Sequence, residues 1–473
     1  MDKTITARQR WLALGGIAIA SFLGCIDFTI VNTAIPAISS DLQAGVAQLQ
    51  WIMTAFVTAL SACMVAAGRL ADLLGRRRLL YAGMLLFGVA STGAGLAGSV
   101  SALVAWRVVQ GVACAALYTT SAAIVAHAFP GQQRGRALGL LFVANGLGLA
   151  VGPVAGGLLV DALGWRAVFL LNVPLLLAAF ALCLGRVAES RGEETGQRFD
   201  LAGLLLLSCG LPCLLLAISE GGRWGWTAPL TLASGALGLL LLLAFVQAER
   251  KAPAPLLQLS LFANRAFLLA SLANFSLAFF YCAAFFLLPL YLGTVRAQGN
   301  SQTGWLLLPI TAVMALVSPQ AGKLADRYGT TPLLAAGFAC LALSALLQAG
   351  LGATSSWTLV LAALAAMGVG WGAILGPATA AALASVAEQQ AGMAMGASWT
   401  LHNVGAALGL TLATIVFQAA GGDTQVLPGF QAVLWLLCGI SLATLLVLLA
   451  GLLALRASRP KSGAAAPSAG PPG

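Results

Sequence analysis

The chain has 473 residues, 60% hydrophobic and only 8% charged, with a mean hydropathy of +0.94. A soluble domain carries about 25% charged residues, so a soluble core is excluded and the solvent is lipid. A net charge of +10 would suggest nucleic acid in a soluble protein, but here it points to basic loops on one side of a membrane.

In chain order, the basic stretch 1–10 leads into an apolar run too long for a cleaved signal, which reads as a first span. About fourteen runs reach the roughly 20 apolar residues that a span needs. They lie near 11–36, 47–69, 79–98, 102–124, 137–160, 166–185, 201–219, 228–248, 266–293, 302–321, 332–351, 356–378, 393–418 and 429–455. The first and ninth are long and contain proline, so tilts or kinks are expected. With the N-terminus inside, only Arg166, Arg223 and Arg296 of the 24 Lys and Arg fall outside, and Arg107 lies within a span. That bias puts both termini in the cytoplasm. The nine Cys all fall inside apolar runs, so neither a disulfide framework nor a metal site is expected. The tail, 456–473, is rich in Pro, Gly, Ala and Ser and reads as disordered.

A charged loop follows the second run: Gly68-Arg69-Leu70-Ala71-Asp72-Leu73-Leu74-Gly75-Arg76-Arg77-Arg78. Gly68, Leu70, Ala71, Asp72 and Gly75 recur as Gly322, Leu324, Ala325, Asp326 and Gly329, each 254 positions on. The copies are eight runs apart, so a six-span repeat leaves two spans inserted between the halves. The expected domains are a first six-helix bundle at 11–185, a linker with two extra helices at 186–255 and a second bundle at 256–455. Parallel repeats of this kind leave a cavity between them.

Several residues in this frame carry chemistry. Asp27 lies deep in the first span, where a charge is costly and a functional role is the default reading. The alternative is a structural carboxylate paired with Arg or capped by Thr29. Arg107 and Gln110 lie near the start of the fourth run. Asp27 is about 13 Å and Arg107 about 8 Å from the outer ends of their spans at 1.5 Å per residue. A long Arg side chain can bridge that difference, so coupling of the two is expected, directly or through water or Gln110. An Arg that only ties helix ends is the plainer alternative. Gly148, Gly152 and Gly156 recur every four residues and give a smooth face for close helix packing. Pro153 beside them permits a bend, and Gly157 follows. In the charged loop, Asp72 can cap or pair with a helix end, Gly75 permits a tight turn and Arg76 can pair with Asp72 or a helix end. Phe275, Phe279 and Tyr281 belong to an aromatic ninth run, and Trp399, His402 and Asn403 to a short polar stretch of the thirteenth. With Asn145, these are candidates for a substrate wall, although such aromatic stripes more often pack against neighbours or lipid. His402 is the side-chain type that changes charge near neutrality, and a hydrogen-bonded structural His is the alternative.

The loop Gly68–Arg78 resembles the signature of the major facilitator superfamily, and the fourteen-span layout resembles its drug:proton antiporter branch. Asp27 stands in a stretch similar to the first-span motif of that branch. Arg107-Val108-Val109-Gln110-Gly111 resembles its fourth-span motif, linked to proton transfer. Gly148 to Gly157, read as Gly-x-x-x-Gly-Pro-x-x-Gly-Gly, resembles the antiporter motif of exporters. The stretches Gly164–Pro174 and Glu220–Trp226 resemble its span five–six junction and the outer turn between its two extra helices. The resemblance implies an all-α polytopic fold of two six-helix bundles plus two inserted helices. It implies proton coupling through Asp27, Arg107 and Gln110. It also implies a cytoplasmic latch at Gly68, Asp72, Gly75, Arg76 and Asp326, and a hinge at Gly148, Gly152, Pro153, Gly156 and Gly157.

The expected function is proton-driven export of hydrophobic or amphipathic small molecules across a bacterial inner membrane. Export of one endogenous metabolite, antibiotic or siderophore is the alternative. No buried Ser-His-Asp set or cofactor motif is evident, and no Gly-x-x-x-x-Gly-Lys loop for ATP, so an enzyme is not expected. The expected partners are the substrate, protons as coupling ion and lipid. No cofactor, metal or nucleic acid is expected, and a monomer suffices, with an adaptor protein left open.

Overall fold

The computed structural model describes residues 6–129, 132–190, 200–252, 255, 259–386, 391–422 and 424–457, and these contain helices but no strand. Of the expected disordered tail, Arg456 and Ala457 are described, as helix, and the remainder lies outside the described residues. The first half comprises α1 (Ala7–Leu42), α2 (Val46–Leu74), α3 (Arg76–Gly95), α4 (Val100–Ala128), α5 (Gln132–Leu163), α6 (Arg166–Leu170) and α7 (Asn172–Cys183). A pair follows, α8 (Leu201–Trp224) and α9 (Pro229–Lys251). The second half comprises α10 (Arg265–Leu290), α11 (Asn300–Tyr328), α12 (Thr330–Ala349), α13 (Trp357–Ala384), α14 (Ala391–Ala419) and α15 (Val426–Ala457).

Local chemistry sets many of these boundaries. Thr6 and Gln9 form a reciprocal capping box at the start of α1, satisfying amides that a helix start leaves open. Ser99 and Ser356 cap α4 and α13 in the simpler way. Gly75 joins α2 to α3 with φ +110, and Gly329 joins α11 to α12 with φ +87. Side-chain-bearing residues rarely adopt such angles, so the glycine shared by the two copies of the charged loop has a backbone cause.

Among the described residues, twelve helical segments are long and apolar enough to cross a membrane, with α6 and α7 counted together. The expected spans near 79–98 and 201–219 are helical, as α3 and α8, but do not meet that standard. The first turn of α3 is the Arg76–Arg78 triplet, and the apolar part of α8 is only Ala202–Ile218. The run expected as one helix over 166–185 is interrupted between α6 and α7. Pro174 has no N–H to give the Leu170 carbonyl, and its ring crowds that oxygen.

The helix packing repeats. In the first half α1 packs on α5, α2 on α4 and α3 on α4; in the second, α10 packs on α14, α11 on α13 and α12 on α13. The halves meet through α5 with α11 and α2 with α14, the same pair of positions used twice. α8 packs on α9 and also on α2 and α14, so the inserted pair flanks one of the two seams. The most apolar part of the segment containing α10 is 89% buried and that of α9 only 17%, which makes α10 central and α9 peripheral. The aromatic run of α10 therefore packs inside the bundle rather than against lipid.

Candidate functional site

Asp27 is fully buried on α1, and so are Arg107 and Gln110 on α4 and Ser91 on α3. Arg107 Nη1 donates to Asp27 Oδ2 in a short ion pair. Asn172 Nδ2, at the start of α7, donates to Asp27 Oδ1 at 3.2 Å, and Gln110 Nε2 approaches the same oxygen at 3.5 Å. Ser91 Oγ accepts from Gln110 Nε2 at 2.8 Å and from Asn172 Nδ2 at 3.2 Å. Arg107 also donates to Gln110 Oε1 and to the Ile52 carbonyl, both at 2.9 Å. Its guanidinium lies 4.1 Å from the centre of the Phe56 ring. Arg107 and Gln110 are three residues apart on one helix, which places them on one face.

The cluster thus pairs its charges and gives both carboxylate oxygens a donor. A buried pair of this kind is held by its geometry: removing one partner costs about 3–5 kcal/mol by stranding the other charge. Arg107 Nη2 has no protein partner, so the guanidinium retains a spare donor. A proton arriving on Asp27 would cancel its attraction to Arg107 while leaving the arginine bonded to Ile52 and Gln110. Sequence reading assigns Asn172 to a helix junction and overlooks Ser91. The polar Asn172 set between Leu171 and Val173, two residues before Pro174, is the available signal.

The glycines of α5 bring α1 against this site. A Cβ at Gly148 would stand 2.8 Å from the Phe22 oxygen, one at Gly152 would strike the Thr29 side chain, and one at Gly156 would stand 2.8 Å from the Ile30 oxygen. Gly157 faces the other way, against the backbone of Asn300 and Ser301, while Pro153 meets Gly304 of α11. α5 is therefore clamped between α1 and the opposite half. Asp161, absent from the sequence expectations, fastens that seam. It accepts from Asn300 Nδ2 at 2.9 Å and from the Ser301 amide at 2.8 Å, and also from the Ser301 hydroxyl. It sits on the first turn of α11, where free amides and the helix dipole favour an anion.

At the other end of the bundle, the arginines of the charged loop meet Glu189 on the segment after α7. Arg77 donates its amide to Glu189 Oε1 at 3.0 Å, and the Nε atoms of Arg77 and Arg78 lie 3.5 and 3.7 Å from Oε2. The Arg76 amide donates to the Ser190 carbonyl at 2.9 Å. Glu189 sits at the amino end of α3, where open amides and the helix dipole favour an anion. Gly68 lies on the α4-facing side of α2, with Thr119 at 4.0 Å from its Cβ position. The side chains of Asp72 and Asp326 lie outside the described residues.

In the second half, Tyr281 occupies the position 254 residues after Asp27. Its hydroxyl lies 3.1 Å from His402 Nε2, and its ring stacks on Trp371 with centroids 4.2 Å apart. The ring of Trp399 lies 4.9 Å from that of His402. Phe279 and Phe275 lie along α10, where their backbones receive Gly409 and Gly405 of α14 at close range. Asn403 donates to Met64 Sδ at 3.8 Å across the α2–α14 seam. Asn145 on α5 is half-buried, with a buried Oδ1 that has no protein partner. Tyr281, His402 and Trp399 are thus brought together, while Asn145 stands apart on α5 and Gln110 belongs to the Asp27 cluster. Glu220, at the start of the stretch that resembles an outer turn, is buried and accepts from Trp51 Nε1 at 2.8 Å.

The family model described as Major Facilitator Superfamily matches residues 17–409 and again 297–472. The chain belongs to the Major Facilitator Superfamily. Multidrug resistance protein Stp of Mycobacterium tuberculosis is 35% identical over 87% of this chain and 76% of its own. The tetracenomycin C resistance and export protein of Streptomyces glaucescens is 32% identical over 87% of this chain and 77% of its own. A peptide transporter crystallised with sulfate superposes with a TM-score of 0.70 over 94% of this chain and 95% of its own, at 15% identity; that likeness shows the fold. This major facilitator protein is a multi-pass protein of the bacterial cell membrane, in a transporter family and not an enzyme family.

Proposed function

We propose that this transporter is a proton-coupled antiporter that exports hydrophobic or amphipathic small molecules by alternating access. The observation that carries the reading is the Asp27–Arg107 pair, fully buried and hydrogen-bonded through Gln110 and Asn172. An intramembrane carboxylate held by a single cation is a group whose protonation changes what it binds. In the proposed arrangement α3 and α8 also cross the membrane, giving fourteen spans with both termini cytoplasmic. Asp161 then closes the outer rim of the α5–α11 seam, and Glu189 holds the charged loop on the inner face. Export as the direction is supported by the glycine stripe of α5 and by the names of the two relatives. The coupling ion is the proton, with no other cofactor required.

The test is transport by the purified protein in proteoliposomes with an imposed pH gradient, using dyes, biocides and antibiotics as a panel. Accumulation driven by the gradient and abolished by Asp27→Asn supports the reading; gradient-independent transport overturns it. Export of one endogenous compound by the same mechanism is the second reading, favoured by the likeness to the tetracenomycin C exporter. Mutual competition among unrelated dyes distinguishes the two, since a dedicated exporter would show none.

A further inference from the structure

The coupling mechanism leaves the polar cluster around His402 unused. His402 Nδ1 lies 3.1 Å from the main-chain oxygen of Asn274. A carbonyl only accepts, so Nδ1 carries the proton, and the neutral ring offers Nε2 as an acceptor. Tyr281, 3.1 Å away, is then the donor to Nε2. The Tyr281 ring lies flat on Trp371 at 15°, and Phe285 meets Trp371 edge-on at 5.6 Å. One face of the indole is thereby covered, which weakens it as a seat for a cation.

What this cluster leaves open are hydrogen-bonding edges. Trp371 Nε1 and Asn274 Oδ1 are both buried without a protein partner, in residues only 1% and 2% exposed. Each is a hydrogen-bonding group that a buried ligand would satisfy, and the two residues meet the cluster directly, Asn274 through His402 and Trp371 through Tyr281. Among the described residues of the cluster there is no carboxylate. Asp27, on the adjoining helix, is already engaged by Arg107, Gln110 and Asn172.

We propose that this cluster is a recognition site for planar aromatic molecules that carry a carbonyl and a hydroxyl or amide N–H but no fixed positive charge. The substrate carbonyl accepts from Trp371, its hydroxyl or amide donates to Asn274, and Trp399 supplies a stacking surface beside His402. This rests on the transporter reading above and names the substrate class for it.

The test is equilibrium dialysis of the detergent-solubilised full chain, with empty micelles as reference and no pH gradient. Three probes are used: 2,6-dihydroxyanthraquinone, anthracene and tetraphenylphosphonium. The quinone is expected to bind, and Trp371→Phe and Asn274→Leu should each weaken it about 5–10-fold, the effect of one hydrogen bond. Anthracene and tetraphenylphosphonium should respond less than twofold, by contrast with the quinone. Trp371→Phe keeps an aromatic ring, and thermal melts of both variants confirm that they fold. The inference is overturned if the quinone does not bind, if both folded variants bind it like the parent, or if tetraphenylphosphonium binds more tightly and loses affinity in the same variants. Because binding is read without a gradient, a protein that binds the quinone but fails gradient-driven transport refutes proton coupling alone.

Discussion

Phe28, the residue after Asp27, meets the ring of Tyr281 edge-on with centroids 5.5 Å apart. This contact joins α1 to α10 and so links the ion-pair cluster of one half to the aromatic cluster of the other. If protonation of Asp27 moves α1, Tyr281 is positioned to register the movement. Such ring pairs contribute about 0.5–1.5 kcal/mol beyond their buried area, and Phe28→Leu removes the ring while keeping most of the buried apolar volume. The variant should retain substrate binding but lose several-fold of its substrate-induced proton release, as read by a pH dye in proteoliposomes. Unchanged proton release would dissociate the two clusters.

Asp27→Asn removes the carboxylate while keeping its size. Transport driven by a pH gradient should vanish, with the protein still expressed and folded. Arg107→Ala should be the more destabilising of the two, by about 3–5 kcal/mol, because it strands a buried carboxylate. Combining it with Asp27→Asn should recover part of that loss in thermal melts. A double variant no more stable than Arg107→Ala alone would argue against a charged pair in the resting protein.

Much of the architecture is legible before any coordinates, and the reasons are local. Gly75 and Gly329 stand out because a backbone angle selects glycine and the repeat shows the selection twice. Gly148, Gly152 and Gly156 stand out because helical spacing puts them on one face. Asp27 and Arg107 stand out because charges in apolar runs are rare. Ser91 carries no such marker and Asn172 only its polarity between two apolar neighbours; their meaning lies in a contact across 81 residues, and Asn172 reaches Asp27 across 145. Glu189 is hidden for a related reason, lying among other charges in a polar stretch where nothing local singles it out. The partners of His402 are equally remote, since Asn274 and Tyr281 are 128 and 121 residues away. Spacing alone proposes an aromatic stripe on α10 but not which ring stacks on Trp371.

Gly152→Ala tests the α1–α5 approach. The added methyl would strike the Thr29 side chain, and overpacking of this kind costs about 1–3 kcal/mol. Transport should fall by more than about tenfold if the two helices must stay in contact through the cycle, since 1.4 kcal/mol is already a factor of ten. Gly98→Ala, whose Cβ position has nothing within 4 Å, serves as the control. Equal activity of the two variants would rule out a packing role for Gly152.

Glu189→Gln weakens the grip on Arg77 and Arg78. These side chains are partly exposed, so the loss of stability should be under about 1 kcal/mol. The turnover rate should change about two- to fivefold, equivalent to a shift of under 1 kcal/mol in the barrier between states. The apparent substrate affinity should be unaltered. Arg76→Ala should likewise alter rate more than affinity. An altered affinity with normal turnover in either variant would count against a latch.

The position of α8 has a consequence for solutes that arrive through the bilayer. Trp51 of α2 is tied to Glu220, and Ser208 of α8 donates to the Ala62 carbonyl at 3.3 Å. With α9 behind it, α8 roofs the flank where α2 meets α14. The α5–α11 flank has no comparable pair beside it among the described helices. A hydrophobic molecule dissolved in the lipid therefore meets a two-sided protein with one wall thickened. If solutes enter laterally from the acyl chains, the bare side is the thinner wall for them to cross.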